Sequence, residues 1–85
     1  MGASALKKVQ REFQEAGEAL EALEVEIGTI RVDPNDPQSL ERALEEMKQT
    51  VDQKIACYRE NQLVKTVAEK ARGVFEEQLR EQARK

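Results

Sequence analysis

The chain has 85 residues, of which 36% are charged and only three are aromatic, and its formal net charge is −3. A chain of this length forms one domain at most, and a monomer buries only about 60–65% of its unfolded surface. This composition favours long exposed helices or a coiled coil over a deep globular core. No apolar run approaches the roughly 20 residues that span a bilayer, and no cleavable signal pattern opens the chain. We therefore expect a protein that is cytoplasmic as synthesised and has no membrane span.

The sequence lacks the residues on which many catalytic and metal sites depend. It contains no His, so neither a Ser–His nor a Cys–His pair is available, and no imidazole can bind a metal. Cys57 is the only cysteine, which excludes an intramolecular disulfide, and we expect it to be a small buried apolar residue. There is no glycine-rich phosphate loop. We predict a non-enzymatic protein with no cofactor and no metal.

Charge is distributed unevenly along the chain. Residues 11–52 hold twelve acids and four bases, whereas residues 59–85 hold five acids and seven bases. Such a distribution can orient antiparallel or stacked neighbours. The acidic total and the scarcity of aromatics disfavour a nucleic-acid partner, although a nucleic-acid or membrane-surface binder acting through the basic end is a third class of function.

The apolar residues of the first third recur at alternating steps of three and four. They are Leu6, Val9, Phe13, Ala16, Leu20, Leu23, Ile27 and Ile30. A seven-residue repeat of this kind is typical of the seam of a left-handed helix pair. It predicts a helix over residues 5–30, and the seam requires a partner helix in the same chain or in another subunit.

Both prolines lie in a short polar segment that follows this helix. Pro34 cannot continue a helix and restricts the residue before it to extended geometry. Asp36 can accept a hydrogen bond from the free amides of a new first turn, and Pro37 suits the first helical position. Residues 31–36 are therefore predicted to form a corner that makes the flanking helices antiparallel.

Neither Gly nor Pro interrupts residues 38–72, and we predict a second helix over residues 37–83. Its first part completes the hairpin seam with Leu40, Leu44, Met47 and Val51. A polar stretch, residues 59–62, then separates two apolar series that are out of phase. We interpret the phase change as a continuous helix that turns its apolar face toward another partner. The alternative is a turn at this stretch and a three-helix bundle.

An unbroken second helix would be about 70 Å long, against about 39 Å for the first. Its distal part would lack a partner within the chain, and leaving its apolar side chains in water would be costly. We therefore expect self-association through Val64, Val67, Ala71, Val74, Phe75 and Leu79. The predicted fold class is all-α: an antiparallel helical hairpin (coiled coil) with a longer C-terminal helix, completed by self-association.

Three short segments resemble the needle-subunit family of bacterial type III secretion systems. They are Pro34-Asn35-Asp36-Pro37 with Gln38 and Leu40; Tyr58 with Leu63-Val64-Lys65-Thr66-Val67 and Gly73-Val74-Phe75; and, more weakly, Glu15-Ala16-Gly17-Glu18-Ala19-Leu20. The resemblance covers about residues 13–79. It implies a hairpin subunit that is exported unfolded, polymerises through its C-terminal helix and is held monomeric by helical chaperones. Lys65 would then contact polar groups near the lumen, and the assembled protein would be extracellular or at the cell surface.

The sequence thus predicts a protein that acts by assembly, either as a needle-like subunit or as a soluble coiled-coil dimer serving as an adaptor or secretion chaperone. In both cases the expected partners are copies of the same chain, with helical chaperones or secretion-apparatus proteins as further candidates.

Overall fold

The computed structural model describes residues 2–84, with side chains from residue 5 onward, and every regular element in that range is helical. Helix α1 spans Gly2–Gly28, α2 spans Pro37–Cys57 and α3 spans Gln62–Arg84. The predicted all-α class is confirmed. No helix among the described residues is both long enough and apolar enough to cross a membrane.

The three helices form an elongated up-down-up bundle. The start of α3 lies beside the early part of α1, because the Asn61 side chain donates a hydrogen bond to the Glu12 carbonyl oxygen at 3.1 Å. The end of α3 lies beside the turn after α1, where the Val32 N–H donates to Gln82 Oε1 at 3.1 Å. Helices α1 and α3 are therefore parallel to each other, and α2 runs antiparallel to both.

The main core lies between the three helices and extends under the first turn. Leu23, Met47 and Val51 are fully buried there. Its other buried members are Ile27, Ile30, Val32, Ala43, Ala68, Ala71, Phe75 and Leu79. A smaller cluster of Ala16, Ala19 and Val64 continues the core toward the α2–α3 turn. Burial of this apolar surface stabilises the bundle, since short helices rarely persist alone in water.

The predicted continuous helix over residues 37–83 is wrong, because α2 ends at Cys57 and α3 begins at Gln62. Tyr58 closes α2 with a non-helical backbone conformation, φ −124° and ψ 49°, and its N–H donates to the Ile55 carbonyl. Asn61 then caps α3 by accepting a hydrogen bond from the Val64 N–H at 3.1 Å. The polar stretch is thus a turn, and the two apolar series are out of phase because they belong to different helices.

This turn overturns the argument for self-association through the distal residues. Folding back α3 provides the intrachain partner that an unbroken helix would lack. Val64, Ala71, Phe75 and Leu79 are buried within the bundle, and Val67 is half-buried. Of these six residues Val74 is the exposed one, at 57%.

The first turn has the structure that its sequence predicts, although it begins two residues earlier, at Thr29. Asp36 has an extended backbone, with φ −127° and ψ 101°, and its Oδ1 accepts from the Gln38 N–H at 3.0 Å. Pro37 occupies the first helical position of α2. Pro34 lies in the tight turn, where the Asp36 N–H donates to the Asp33 carbonyl.

Helix α1 extends beyond the rest of the bundle at its N-terminal end. Every residue from Ala5 to Arg11 is exposed, so no side chain of these two turns is buried in the bundle. The bundle helix α3 is about 35 Å long at 1.5 Å per residue. The long axis of the molecule measures 58 Å, and the projecting part of α1 contributes to the difference. The molecule therefore has an overhang, at the opposite end of the chain from the one that the sequence predicts.

Candidate functional site

Three large apolar side chains lie exposed on one face of the projecting helix. Leu6 is 58% exposed, Val9 is 44% exposed and Phe13 is 65% exposed. Their spacing of three and four residues places them on one side of α1. We call these three residues the N-terminal strip. Scattered single apolar residues are ordinary on protein surfaces, whereas an aligned set on an uncovered helix is typical of a binding site.

The N-terminal strip continues along α1 into the body of the bundle. Leu20 lies seven residues after Phe13, which brings it to nearly the same side of the helix. Gly17 lies between them on this side, is exposed, and has no neighbouring atom within 4 Å of the position that a Cβ would occupy. The face therefore has a shallow point at Gly17, where another helix can approach the α1 backbone closely.

Beyond Gly17 the same face borders an open groove between α1 and α3, with a volume of about 690 Å³. Leu20 contributes from α1, and Val67, Val74 and Phe75 contribute from α3. We call this the α1–α3 groove. The strip and the groove together form one apolar path along the molecule, wide enough at the groove to receive side chains of a further helix.

Charge along α1 divides sharply at residue 12. The projecting segment of residues 5–11 carries Lys7, Lys8 and Arg11 and no acid. The segment of residues 12–28 carries six glutamates and no base. Their positions are Glu12, Glu15, Glu18, Glu21, Glu24 and Glu26. Along α1, a basic N-terminal segment is therefore followed by an acidic segment, and the apolar residues run through both.

Asn61 fixes how far α1 projects. It is only 4% exposed, and all of its polar groups have partners. Its Nδ2 donates to the Glu12 carbonyl at 3.1 Å and to Glu15 Oε1 at 2.9 Å, while its Oδ1 caps α3. Because an unpaired buried amide would be costly, this arrangement determines which residue of α1 lies level with the start of α3. Residues 5–11 are thereby left outside the bundle.

The predicted hairpin seam divides into three groups in the structure. Leu23, Ile27, Ile30, Met47 and Val51 are buried. Leu20, Leu40 and Leu44 are half-buried and pack against the core. Leu6, Val9 and Phe13 instead form the exposed strip.

Cys57 is exposed, so the expectation of a buried apolar cysteine is wrong. It is the last residue of α2 and borders an open cleft between the α2–α3 turn and the start of the bundled part of α1. The cleft is lined mainly by charged and polar side chains, among them Lys8, Arg11 and Glu60. Among the described residues, no group of three or more acidic or cysteine side chains is arranged to hold a metal ion.

Sequence reasoning identified the members of the strip but assigned them to the wrong environment. The heptad pattern gives the same signal whether its partner lies in the same chain or in another. A signal for the true arrangement was present in Asn61, since Asn is a preferred residue before the first turn of a helix.

Both a family model and a relative match nearly the whole chain. The family model YuaX matches residues 3–85. The Uncharacterized protein YuaX of Escherichia coli is 32% identical over 78 residues, which make up 92% of this chain and 80% of that relative. No solved structure matches the chain.

These matches overturn the resemblance to type III secretion needle subunits. The short segments that suggested it, such as residues 34–37 and 63–67, are a helix cap and a bundle-packing surface in this fold. Nothing in the comparisons leads to a needle-subunit family, and a family model that covers residues 3–85 replaces it. The chain belongs to the YuaX family.

Proposed function

We propose that the protein is a non-enzymatic binding module, of the adaptor type, that receives another helix on the N-terminal strip and the α1–α3 groove. The observation that supports this most directly is the strip itself. Leu6, Val9 and Phe13 are exposed and aligned on one face of α1. Covering them would contribute on the order of 3–5 kcal/mol to association, before the entropy cost of binding is subtracted.

The shape of the surface favours a helix as the bound element. The exposed residues follow the three-and-four spacing by which one helix packs on another. The groove lies between the parallel helices α1 and α3. A helix bound there would be the fourth of the bundle, and four-helix bundles are common. The apolar path is also flanked by charged residues of α1, which can select among partner helices.

A photo-crosslinking experiment in cells tests this proposal. Phe13 is replaced by p-benzoylphenylalanine in the full chain, and the covalent adducts are resolved by mass. Val25 serves as the matched control, because it lies on the same helix, is 67% exposed and points about 120° away around the helix axis. We expect a discrete adduct from position 13 and none from position 25.

The opposite results would contradict the proposal. Absence of an adduct at position 13, with confirmed incorporation and photoactivity of the probe, would show that the strip has no occupant. Equal adducts at both positions would show that α1 is contacted without selectivity. The mass of a selective adduct also identifies the occupant, since a second copy adds 9.7 kDa.

A further inference from the structure

We infer that the helix received by this surface is α1 of a second copy of the chain, lying antiparallel to the first and crossing it at Gly17. This inference rests on the proposed function and specifies its partner. Three independent features support it. They are the division of charge along α1, the position of the shallow point at Gly17, and the equal axial distances of the exposed apolar side chains from that point.

The charges of α1 favour an antiparallel partner. A parallel pair would place Lys7, Lys8 and Arg11 beside their own counterparts and the glutamates beside glutamates. An antiparallel pair places the basic segment of each copy against the acidic segment of the other. Like charges across a contact are unfavourable and opposite charges are favourable, so the two orientations differ strongly. The same attraction acts at both ends, as a two-fold symmetric contact requires.

Gly17 provides the crossing point. It is the only residue without a side chain on the apolar path between the strip and the groove, and the space above it is open. With the two-fold axis at this residue, a position a given number of residues before Gly17 in one copy lies beside the position the same number of residues after Gly17 in the other. Phe13 of one copy then lies level with Glu21 of the second, beside Leu20 at the entrance to the groove.

The same symmetry brings the remaining exposed apolar residues together. The Asn61–Glu12 hydrogen bond sets α3 level with α1, so Val74, thirteen residues after Asn61, lies level with Val25. Eight residues separate Gly17 from both Val9 and Val25. Val9 of one copy therefore lies level with Val74 of the other, and one contact covers both exposed valines.

One basic residue of the overhang reaches an acid by the same count. Lys7 lies level with residue 27 of the second copy, within one helical turn of Glu24, which lines the groove. The α3 side of the groove carries Lys70, so the overhang is attracted to the α1 side of the groove. The chain thus provides both a projecting basic helix and an acidic apolar site that fits it.

The first part of the test measures mass against concentration for the purified full chain by analytical ultracentrifugation. We expect a reversible transition between 9.7 kDa and twice that mass. Leu6→Glu should raise the dimer dissociation constant by at least about tenfold, while Val25→Asp should change it by less than about twofold. Leu6 lies outside the bundle, so its substitution leaves the monomer fold intact, and circular dichroism confirms this. A mass of 9.7 kDa at every concentration would overturn the inference.

The second part measures orientation with single cysteines in a Cys57→Ala background and a short bis-maleimide crosslinker. Gln14→Cys should crosslink between copies, because the two positions lie about 9 Å apart along the axis and Gly17 keeps its close approach. Val9→Cys should not, since antiparallel helices hold the two positions about 24 Å apart along the axis. Efficient crosslinking of Val9→Cys would indicate parallel helices and overturn the inference.

The two proposals can fail separately. A monomer in the centrifuge together with a selective position-13 adduct of a different mass would exclude the second copy as occupant and retain the binding module. Absence of both dimer and adduct would exclude both proposals.

Discussion

The two turns of the bundle use the same local device in opposite surroundings. Asp36 begins α2 by accepting a hydrogen bond from the Gln38 N–H at 3.0 Å, and Asn61 precedes α3 and accepts from the Val64 N–H at 3.1 Å. The other carboxylate oxygen of Asp36, Oδ2, pairs at the surface with Arg42, at 3.1 Å. The amide nitrogen of Asn61, Nδ2, is buried against α1.

The first turn is therefore determined by neighbouring residues, whereas the second depends on a contact between helices. At the first turn, Pro34 and Pro37 stop and restart the helix without help from distant residues. At the second turn there is no proline, and the cap residue is also the contact that sets α1 level with α3. Breaking the helix and aligning the bundle therefore depend on one side chain, and the two turns should respond very differently to substitution.

The largest effect is expected at the buried cap. Asn61→Ala removes the α3 cap and leaves the Glu12 carbonyl and the Val64 N–H without their partner in a buried site. We expect a loss of about 2–4 kcal/mol in the free energy of unfolding, measured by urea denaturation. Glu60→Ala, in the same turn but exposed, is the matched control and should change stability by less than about 0.5 kcal/mol.

Asn61→Asp divides the effect between cap and tertiary contact. Aspartate retains the oxygen that accepts from Val64 but has no amide to donate to Glu12, and it places a carboxylate beside Glu15. If Asn61→Asp were as stable as the wild type at neutral pH, the cap alone would matter and the comparison of the two turns would be wrong.

An intermediate effect is expected at the other end of the bundle. Gln82→Ala removes the acceptor of the Val32 N–H, which belongs to a buried residue of the first turn. We expect a loss of about 0.5–1.5 kcal/mol by the same urea measurement. Gln78→Ala, one helical turn earlier and exposed, should have a smaller effect. Equal losses in the two variants would show that the hydrogen bond to Val32 contributes nothing.

The smallest effect is expected at Asp36 and depends on pH. The hydrogen bond from Arg42 lowers the pKa of this carboxyl below the ordinary aspartate value, and the Gln38 amide acts in the same direction. A lowered pKa in the folded state gives a contribution that is present above the unfolded aspartate pKa of about 3.9 and is lost as the pH falls through the folded value. The measurement is the denaturation midpoint of wild type and Asp36→Asn at decreasing pH.

Because this carboxylate lies at the surface, we expect a small difference at neutral pH that disappears in acid. A difference that stayed constant down to about pH 2 would show that the charge of Asp36 does not contribute. Asparagine is the suitable replacement, since it keeps the cap acceptor and removes only the charge.

The helical class, the first turn and most of the buried seam could be predicted from the sequence because their signals are local. Pro34, Asp36 and Pro37 act within a few residues, and the heptad pattern marks Leu23, Ile27 and Met47 for burial. A continuous helix was preferred to a turn at residues 59–62 because the capping preference of Asn61 alone does not decide between them, and the acceptors that hold it lie nearly fifty residues away. That single error moved the expected overhang from α1 to α3.

The candidate site was predictable only in its chemistry. An exposed seam that requires a partner follows from the spacing of Leu6, Val9 and Phe13, but its exposure follows from where Asn61 contacts α1. The groove could not be anticipated, because Leu20 and Val74 come together only when α3 folds back along α1.

The exposed N-terminal segment of α1, residues 5–11, also determines where proteases can cleave the folded chain. Trypsin cleaves after Lys7, Lys8 and Arg11, and all three bonds lie in exposed helical turns outside the bundle core. Clipping there would release the basic segment and leave a fragment that begins at Glu12 with every buried residue of the bundle still in place. Proteolysis would thus remove Leu6 and Val9 from the apolar path and leave the bundle folded, and a helix bound over this segment would slow it.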